Sequence, residues 1–101
     1  MLSSTIIITI LSLMGSVTAK SYHNCGCKVR GNYDQQLSKD TCIQWALSAQ
    51  PNTHFDGYSC VDKGIGRGID GNPWEATCKR QWGIGNAGDE DAAVGWCWHQ
   101  S

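Results

Sequence analysis

Clusters of positive charge are missing from this chain of 101 residues. It has 8 lysines and arginines against 9 acidic residues, a formal net charge of −1, and its longest basic run is Lys79-Arg80. Binding to nucleic-acid phosphates needs clustered cations, and disruption of anionic membranes needs a cationic amphipathic face. The sequence therefore predicts neither a nucleic-acid partner nor a membrane-lytic activity.

Signatures of catalysis and of metal binding are also missing. The chain has no G-x-S-x-G sequence and no C-x-x-C pair, which excludes the usual nucleophile elbow and the usual zinc half-site. His54 with Glu75 or His23 is a possible acid–base pair of the kind that small secreted ribonucleases use. Nothing in the sequence places these residues together. We therefore predict a protein that is not an enzyme and that has no catalytic residue, metal or cofactor.

Long hydrophobic runs are absent as well. A bilayer-spanning helix needs about 20 apolar residues, and the apolar runs of this chain are shorter. An apolar stretch from Ile6 to Met14 is followed by small residues that end in Val17-Thr18-Ala19. This order is typical of a secretory signal peptide cleaved after Ala19. We predict a signal peptide over residues 1–19, one disulfide-rich domain over residues 20–101, and no membrane insertion.

Cysteine, by contrast, is abundant in the predicted mature part of 82 residues. A domain of this size buries too little apolar surface to fold comfortably on its core alone. An even number of cysteines in a short exported chain indicates disulfides. We therefore expect an extracellular protein with three bridges, formed by Cys25, Cys27, Cys42, Cys60, Cys78 and Cys97.

Hydrophobic periodicity predicts an α+β fold, namely a small disulfide-stabilised two-layer α/β sandwich with two helices on an antiparallel sheet of 3–4 strands. Asn32 with Gln35 is expected to cap the first helix, and Asn72 with Glu75 the second. Pro51 should end the first helix and Gly83 the second. The helices are predicted near residues 33–50 and 73–82, and the strands near 25–30, 55–62, 94–98 and, with weaker signals, 67–70.

The predicted elements restrict the disulfides without fixing them. Six cysteines allow 15 connectivities. Cys25 and Cys27 are two residues apart on one strand, and this geometry argues against a bond between them. We also expect each helix to be tied to the sheet, which argues against a Cys42–Cys78 bridge.

Gly66, Gly68 and Gly71 have the G-x-G-x-x-G spacing of a dinucleotide-binding loop. That loop works only between a buried strand and a helix within a full βαβ unit, with an acidic residue about 20 positions on. The predicted domain is too small for such a sheet, and Glu75 would place a negative charge near the pyrophosphate. These glycines are instead expected to be turn residues with positive φ.

Five tryptophans are unusual in so short a chain. Trp45, Trp74 and Trp82 lie on predicted helix faces and are expected in the core. Trp96 and Trp98 share one face of the last strand, opposite Cys97. If Cys97 points inward, both rings form an exposed binding surface for a sugar or a protein; otherwise they belong to the core, which is the simpler interpretation.

The stretch from Asn24 to Trp45, NCGCKVRGNYDQQLSKDTCIQW, begins with C-G-C and continues through a turn into a helix that carries the next cysteine. This opening resembles that of many small secreted cysteine-rich effectors of filamentous ascomycete fungi. The order of signal peptide and six-cysteine domain is similar along the whole chain. Some proteins of this class resemble the virus-encoded killer toxins of smut fungi, which are disulfide-bonded α/β sandwiches.

The resemblance implies a secreted virulence factor that acts on a plant host. Such a protein modulates immunity or cell death by binding a host protein or a cell-wall glycan, in the apoplast or inside host cells. We expect a monomer without catalytic activity. Two alternatives stay open: a secreted antimicrobial or killer-type toxin, and a small secreted hydrolase such as a ribonuclease.

Overall fold

The computed structural model of the protein describes residues 20–48, 53–63 and 67–100. The predicted signal peptide (residues 1–19), Pro51 and Gly66 lie outside these ranges. In the described residues the strands are β1 (Ser21–Val29), β2 (Asn32–Tyr33), β3 (His54–Phe55), β4 (Cys60–Val61), β5 (Ile69–Asp70) and β6 (Ala93–Gln100). The α-helices are α1 (Gln35–Ser48) and α2 (Gly71–Gly85), and a 3-10 helix (Glu90–Ala92) precedes β6.

β1 is the central strand of an antiparallel sheet. It pairs with β6 along nearly its whole length, and at the same residues it also pairs with β2, β4 and β5. A strand residue has one neighbour on each side, so the three short strands follow one another along the edge of β1 opposite β6. β3 extends the sheet beyond β4. β5 and β6 both run antiparallel to β1, so α2 joins two parallel strands that flank β1, as in a split βαβ unit.

Both helices contact β1 and each other, so they form one layer against the sheet. The core between the layers contains Leu37 and Trp45 from α1, Trp74 from α2, and Ile69 from β5, together with buried cysteines. Trp82 is half-buried and packs against this core. The α+β class is thus confirmed, as is the core position of Trp45 and Trp74, whereas Trp82 lies at the edge of the core. Neither described helix is long and apolar enough to cross a membrane.

Three disulfides join the layers and the strands. Cys42 of α1 is bonded to Cys60 of β4, and Cys78 of α2 is bonded to Cys27 of β1. The third bridge joins Cys25 to Cys97, which lie directly opposite each other on β1 and β6. Each helix is therefore tied to the sheet, as predicted. Several disulfides in a small domain are typical of extracellular proteins.

The predicted helix caps are wrong. Asn32 pairs with Val29 in the sheet, so α1 begins later and is capped by Asp34, whose Oδ1 accepts the Leu37 N–H at 2.8 Å. α2 begins at Gly71 and has no side-chain cap. Glu75 accepts the N–H of Gly95 on β6 at 2.9 Å instead of bonding at its own helix end.

Two further predictions need correction. The strand predicted over residues 55–62 is a hairpin of β3 and β4, because the chain reverses at Gly57, where φ is +101°. α2 does not end at Gly83 but continues to Gly85. Gly71 is the first helical residue rather than a positive-φ turn residue, and its lack of a side chain leaves room for the ring of Tyr22.

Replacement of the Asp34 cap should weaken α1 measurably. Asp34→Ala removes the acceptor for the Leu37 N–H, and loss of such a cap costs about 1 kcal/mol. Urea unfolding should show this loss as a lower midpoint with an unchanged slope. Asp40→Ala is the matched control, because Asp40 is exposed and its side chain accepts a hydrogen bond from the Gln36 side chain one turn earlier. Equal stability of the two variants would contradict the role of Asp34.

Candidate binding surface

Trp96 and Trp98 point away from the core. Cys97, between them, is bonded to the fully buried Cys25, and successive side chains on a strand point to opposite faces. Trp96 is 41% exposed, and neither ring belongs to the core cluster. The simpler interpretation of both rings as core residues is therefore wrong.

Two tyrosines join this pair and close a ring of aromatic contacts. The ring centroids of Trp96 and Trp98 are 5.1 Å apart, and Trp98 is 6.3 Å from Tyr58. Tyr58 stacks on Tyr33 at 4.3 Å, and Tyr33 meets Trp96 edge to face at 5.7 Å. We call Tyr33, Tyr58, Trp96 and Trp98 the aromatic surface. Such contacts stabilise each pair by about 0.5–1.5 kcal/mol beyond area burial, so the four rings hold one another in place.

Tyr33 lies across the sheet above Gly26. A Cβ atom at Gly26 would overlap the Tyr33 ring, so only glycine at this position lets the ring lie on β1. The Tyr33 hydroxyl donates to the carbonyl oxygen of Tyr58 at 2.5 Å. Burial raises the pKa of the Tyr33 phenol, which keeps this donor protonated. Tyr33 thus links β2 to the turn that carries Tyr58.

The turn between β3 and β4 holds Tyr58 through the carboxylate of Asp56. Its Oδ1 accepts the backbone N–H groups of Ser59 at 2.7 Å and Tyr58 at 2.9 Å. These bonds, the one from Ser59 above all, lower the pKa of Asp56. Because folding lowers this pKa, the carboxylate stabilises the turn at neutral pH and loses that effect as the pH falls through the folded-state pKa. Gln35 also binds the Gly57 carbonyl oxygen, at 2.5 Å.

One charged group lies on the rings. The Nζ atom of Lys28 is 3.8 Å from the centroid of Trp96, a cation–π contact. Lys28 is half-buried, and its stem follows the outer face of β1 beside Gly26. The aromatic surface is thus apolar in its interior and carries a single positive charge at the end where Trp96 lies.

A shallow cleft of about 290 Å³ adjoins the aromatic surface at Trp96. Asn72 is exposed at the start of α2, and Glu75 follows one turn later with its carboxylate held by the Gly95 N–H. Gly95 leaves space for the helix, since a Cβ there would lie 3.0 Å from Glu75. The cleft therefore places an amide and a carboxylate next to Trp96, where α2 packs along β6. It is lined by Tyr22, Gly71, Asn72, Glu75, Gly95, Trp96 and Cys97.

The residues considered for acid–base chemistry are not joined by any hydrogen bond in the described part of the chain. Glu75 contacts the Gly95 backbone, and His54 is exposed on β3, where it lines a hollow with Ile43 and Phe55. His23 is half-buried on β1. Across the described ranges, no group of three or more potential ligand side chains is placed to hold a metal ion.

The strand that leads into α2 also differs in topology from that of a dinucleotide-binding fold. β5 runs antiparallel to its neighbour β1, whereas the nucleotide-binding loop follows the first of two adjacent parallel strands. No protein-family model, curated protein or solved structure matches this chain.

Proposed function

We propose that this protein is a secreted effector of the fungal cysteine-rich type, which acts on a plant host by binding one of its molecules through the aromatic surface. The observation that carries the proposal is the set of four mutually contacting rings outside the core, two of them more than 40% exposed. A small domain that has room for tryptophan in its core has no structural need for exposed rings. Tyrosine and tryptophan are also the residues that dominate binding energies at interfaces.

The disulfide framework supports the same proposal. Cys25–Cys97 lies on the opposite side of β6 from the two tryptophans and fixes the register of β1 and β6 beneath them. The bridge between Cys42 and Cys60 fixes β4, next to the turn that carries Tyr58. A surface held rigid in this way loses little conformational freedom when it binds. Such a framework also suits a protein that works outside the cell.

Replacement of Trp96 by alanine should strongly weaken the effect on the host with little change in fold. The test infiltrates purified protein into leaf tissue and measures the oxidative burst and cell death. Removal of a binding hot spot costs about 2 kcal/mol or more, which is roughly a 30-fold loss of potency. Ile84→Ala is the matched control, because Ile84 is 75% exposed on α2 and lies off the aromatic surface. Thermal unfolding of both variants checks that they are folded.

The alternatives give different results in the same series. Loss of the tissue response in a folded His54→Ala variant would contradict the proposal and favour a hydrolase. Inhibition of microbial growth without any response in plant tissue would favour a toxin directed at competitors. Full potency of Trp96→Ala together with Trp98→Ala would show that the aromatic surface is not the binding surface.

A further inference from the structure

We infer that the aromatic surface and the cleft beside it form a binding site for a neutral oligosaccharide of β-linked pyranose units. This inference names the ligand class of the proposed binding surface and rests on the proposed function. Four observations carry it: the size of the exposed aromatic area, the charge around it, the spacing of three of the rings, and the polar groups in the cleft.

The exposed aromatic area is small for a protein partner. Aromatic side chains bury about 150–250 Å² each when covered. With Trp96 at 41% exposure, Tyr58 at 48% and the other two rings half-buried, the free area is on the order of 300 Å². A stable protein interface buries roughly 800 Å² on each side, so a protein partner would also have to cover the polar surface around the rings. A few sugar rings, each covering one aromatic face, match the aromatic area itself.

The charges near the rings favour an uncharged ligand. Lys28 contributes one positive charge at Trp96, and Lys39 contributes another in the hollow beside Gly57. Asp56 contributes one negative charge in the Tyr58 turn, and Glu75 contributes another in the cleft. An acidic polysaccharide or a nucleic acid would therefore meet no excess of positive charge here. A neutral ligand is repelled by neither the positive nor the negative groups.

The spacing of Trp96, Trp98 and Tyr58 suits consecutive sugar units. Their centroids are separated by 5.1 Å and 6.3 Å, close to the length of one pyranose unit in an extended β-linked chain. Pyranose rings with equatorial hydroxyls present flat C–H faces, which pack on the negatively polarised faces of aromatic rings. The rings are tilted to each other by 47° and 57°. Tyr33 contacts both Trp96, at 5.7 Å, and Tyr58, at 4.3 Å, so the three centroids lie on a bend and not in a line. This tilted and bent arrangement favours a free chain over the flat face of a crystalline polymer.

The cleft supplies partners for the hydroxyl groups of a sugar. Asn72 offers an amide that both donates and accepts, and Glu75 offers a carboxylate that accepts. Glu75 is already oriented by the Gly95 N–H, so it loses little freedom on binding. A volume of about 290 Å³ lies at the lower end of small-molecule sites and accommodates one sugar ring next to Trp96.

Calorimetric titration of the disulfide-intact protein with defined hexasaccharides tests the inference. The probes are chitohexaose, cellohexaose and laminarihexaose, with α-linked maltohexaose and hexagalacturonic acid as controls. We expect at least one β-linked neutral probe to bind with a Kd on the order of 100 μM, and both controls to bind at least about tenfold more weakly. Trp96→Ala and Asn72→Ala should each weaken binding about tenfold or more, and Ile84→Ala should not change it.

Each outcome decides the inference. Asn72 is exposed, so Asn72→Ala tests the site even if the loss of Trp96 disturbs the fold. Absence of binding by all three β-linked probes, equal binding of the acidic probe, or unchanged affinity in both site variants would overturn the inference. If no glycan binds but the tissue response still requires Trp96, the proposed function stands with a protein partner. Glycan binding without a tissue response would overturn the proposed function, whereas the inferred glycan-binding site would stand.

Discussion

Reduction of the three disulfides should unfold the protein under otherwise native conditions. The bridges span 72, 51 and 18 residues of sequence. The chain-entropy model assigns about 3–4.5 kcal/mol to each loop of such size. The three contributions together are on the order of 10 kcal/mol, whereas a domain of about 80 residues has a total stability of roughly 4–12 kcal/mol. The reduced chain should therefore be mostly unfolded at 25 °C.

Circular dichroism with and without a phosphine reductant measures this effect. The near-ultraviolet signal of the packed tryptophans should disappear on reduction, together with any host response and any glycan binding. Replacement of one cysteine pair at a time by alanine ranks the contributions of the three disulfides to the stability. The Cys42–Cys60 bridge closes the shortest loop, so its loss should lower the stability least. Loss of the Cys25–Cys97 bridge, which closes the longest loop, should lower it most. A native tryptophan signal in the fully reduced protein would show that the core suffices alone.

The elements that the sequence predicted well are those determined by neighbouring residues. The apolar spacing in α1 and α2 is a property of each segment, and it placed Trp45 and Trp74 on the buried faces correctly. Helix starts were predicted less well because distant partners compete for the capping residues. Asn32 is drawn into β2 by pairing with β1, and Glu75 is drawn to the Gly95 N–H by the packing of α2 on β6.

The binding surface was only partly predictable for the same reason. The alternation around Cys97 made the orientation of Trp96 and Trp98 depend on one question, whether Cys97 points inward. Its partner Cys25 is 72 residues away, and local sequence does not identify it. Tyr33 and Tyr58 were missed entirely, because β2 and the β3–β4 turn reach these tryptophans only through the order of strands around β1. The available signal was Gly26, a residue without a side chain between two cysteines of the central strand.

Trp74→Ala should be the most destabilising replacement among the tryptophans. Trp74 is fully buried and packs edge to face on Trp45 at 5.8 Å. Truncation of a buried tryptophan to alanine costs about 3–5 kcal/mol through lost apolar contacts and the cavity left behind. The indole Nε1 also donates to the Gly26 carbonyl oxygen at 2.8 Å, and the loss of such a hydrogen bond adds about 0.5–1.5 kcal/mol. The loss is comparable with the whole expected stability.

Trp74→Phe separates the two causes, since it keeps most of the ring volume and removes only the donor to Gly26. It should cost less than half as much as alanine, and Trp82→Ala, at a half-buried position, should also cost less. Guanidinium unfolding of the disulfide-intact variants measures all three. Because Gly26 supports Tyr33 on the other side of β1, Trp74→Phe should also weaken glycan binding slightly while the protein stays folded. A loss of less than about 2 kcal/mol in Trp74→Ala would contradict the core position assigned to this ring.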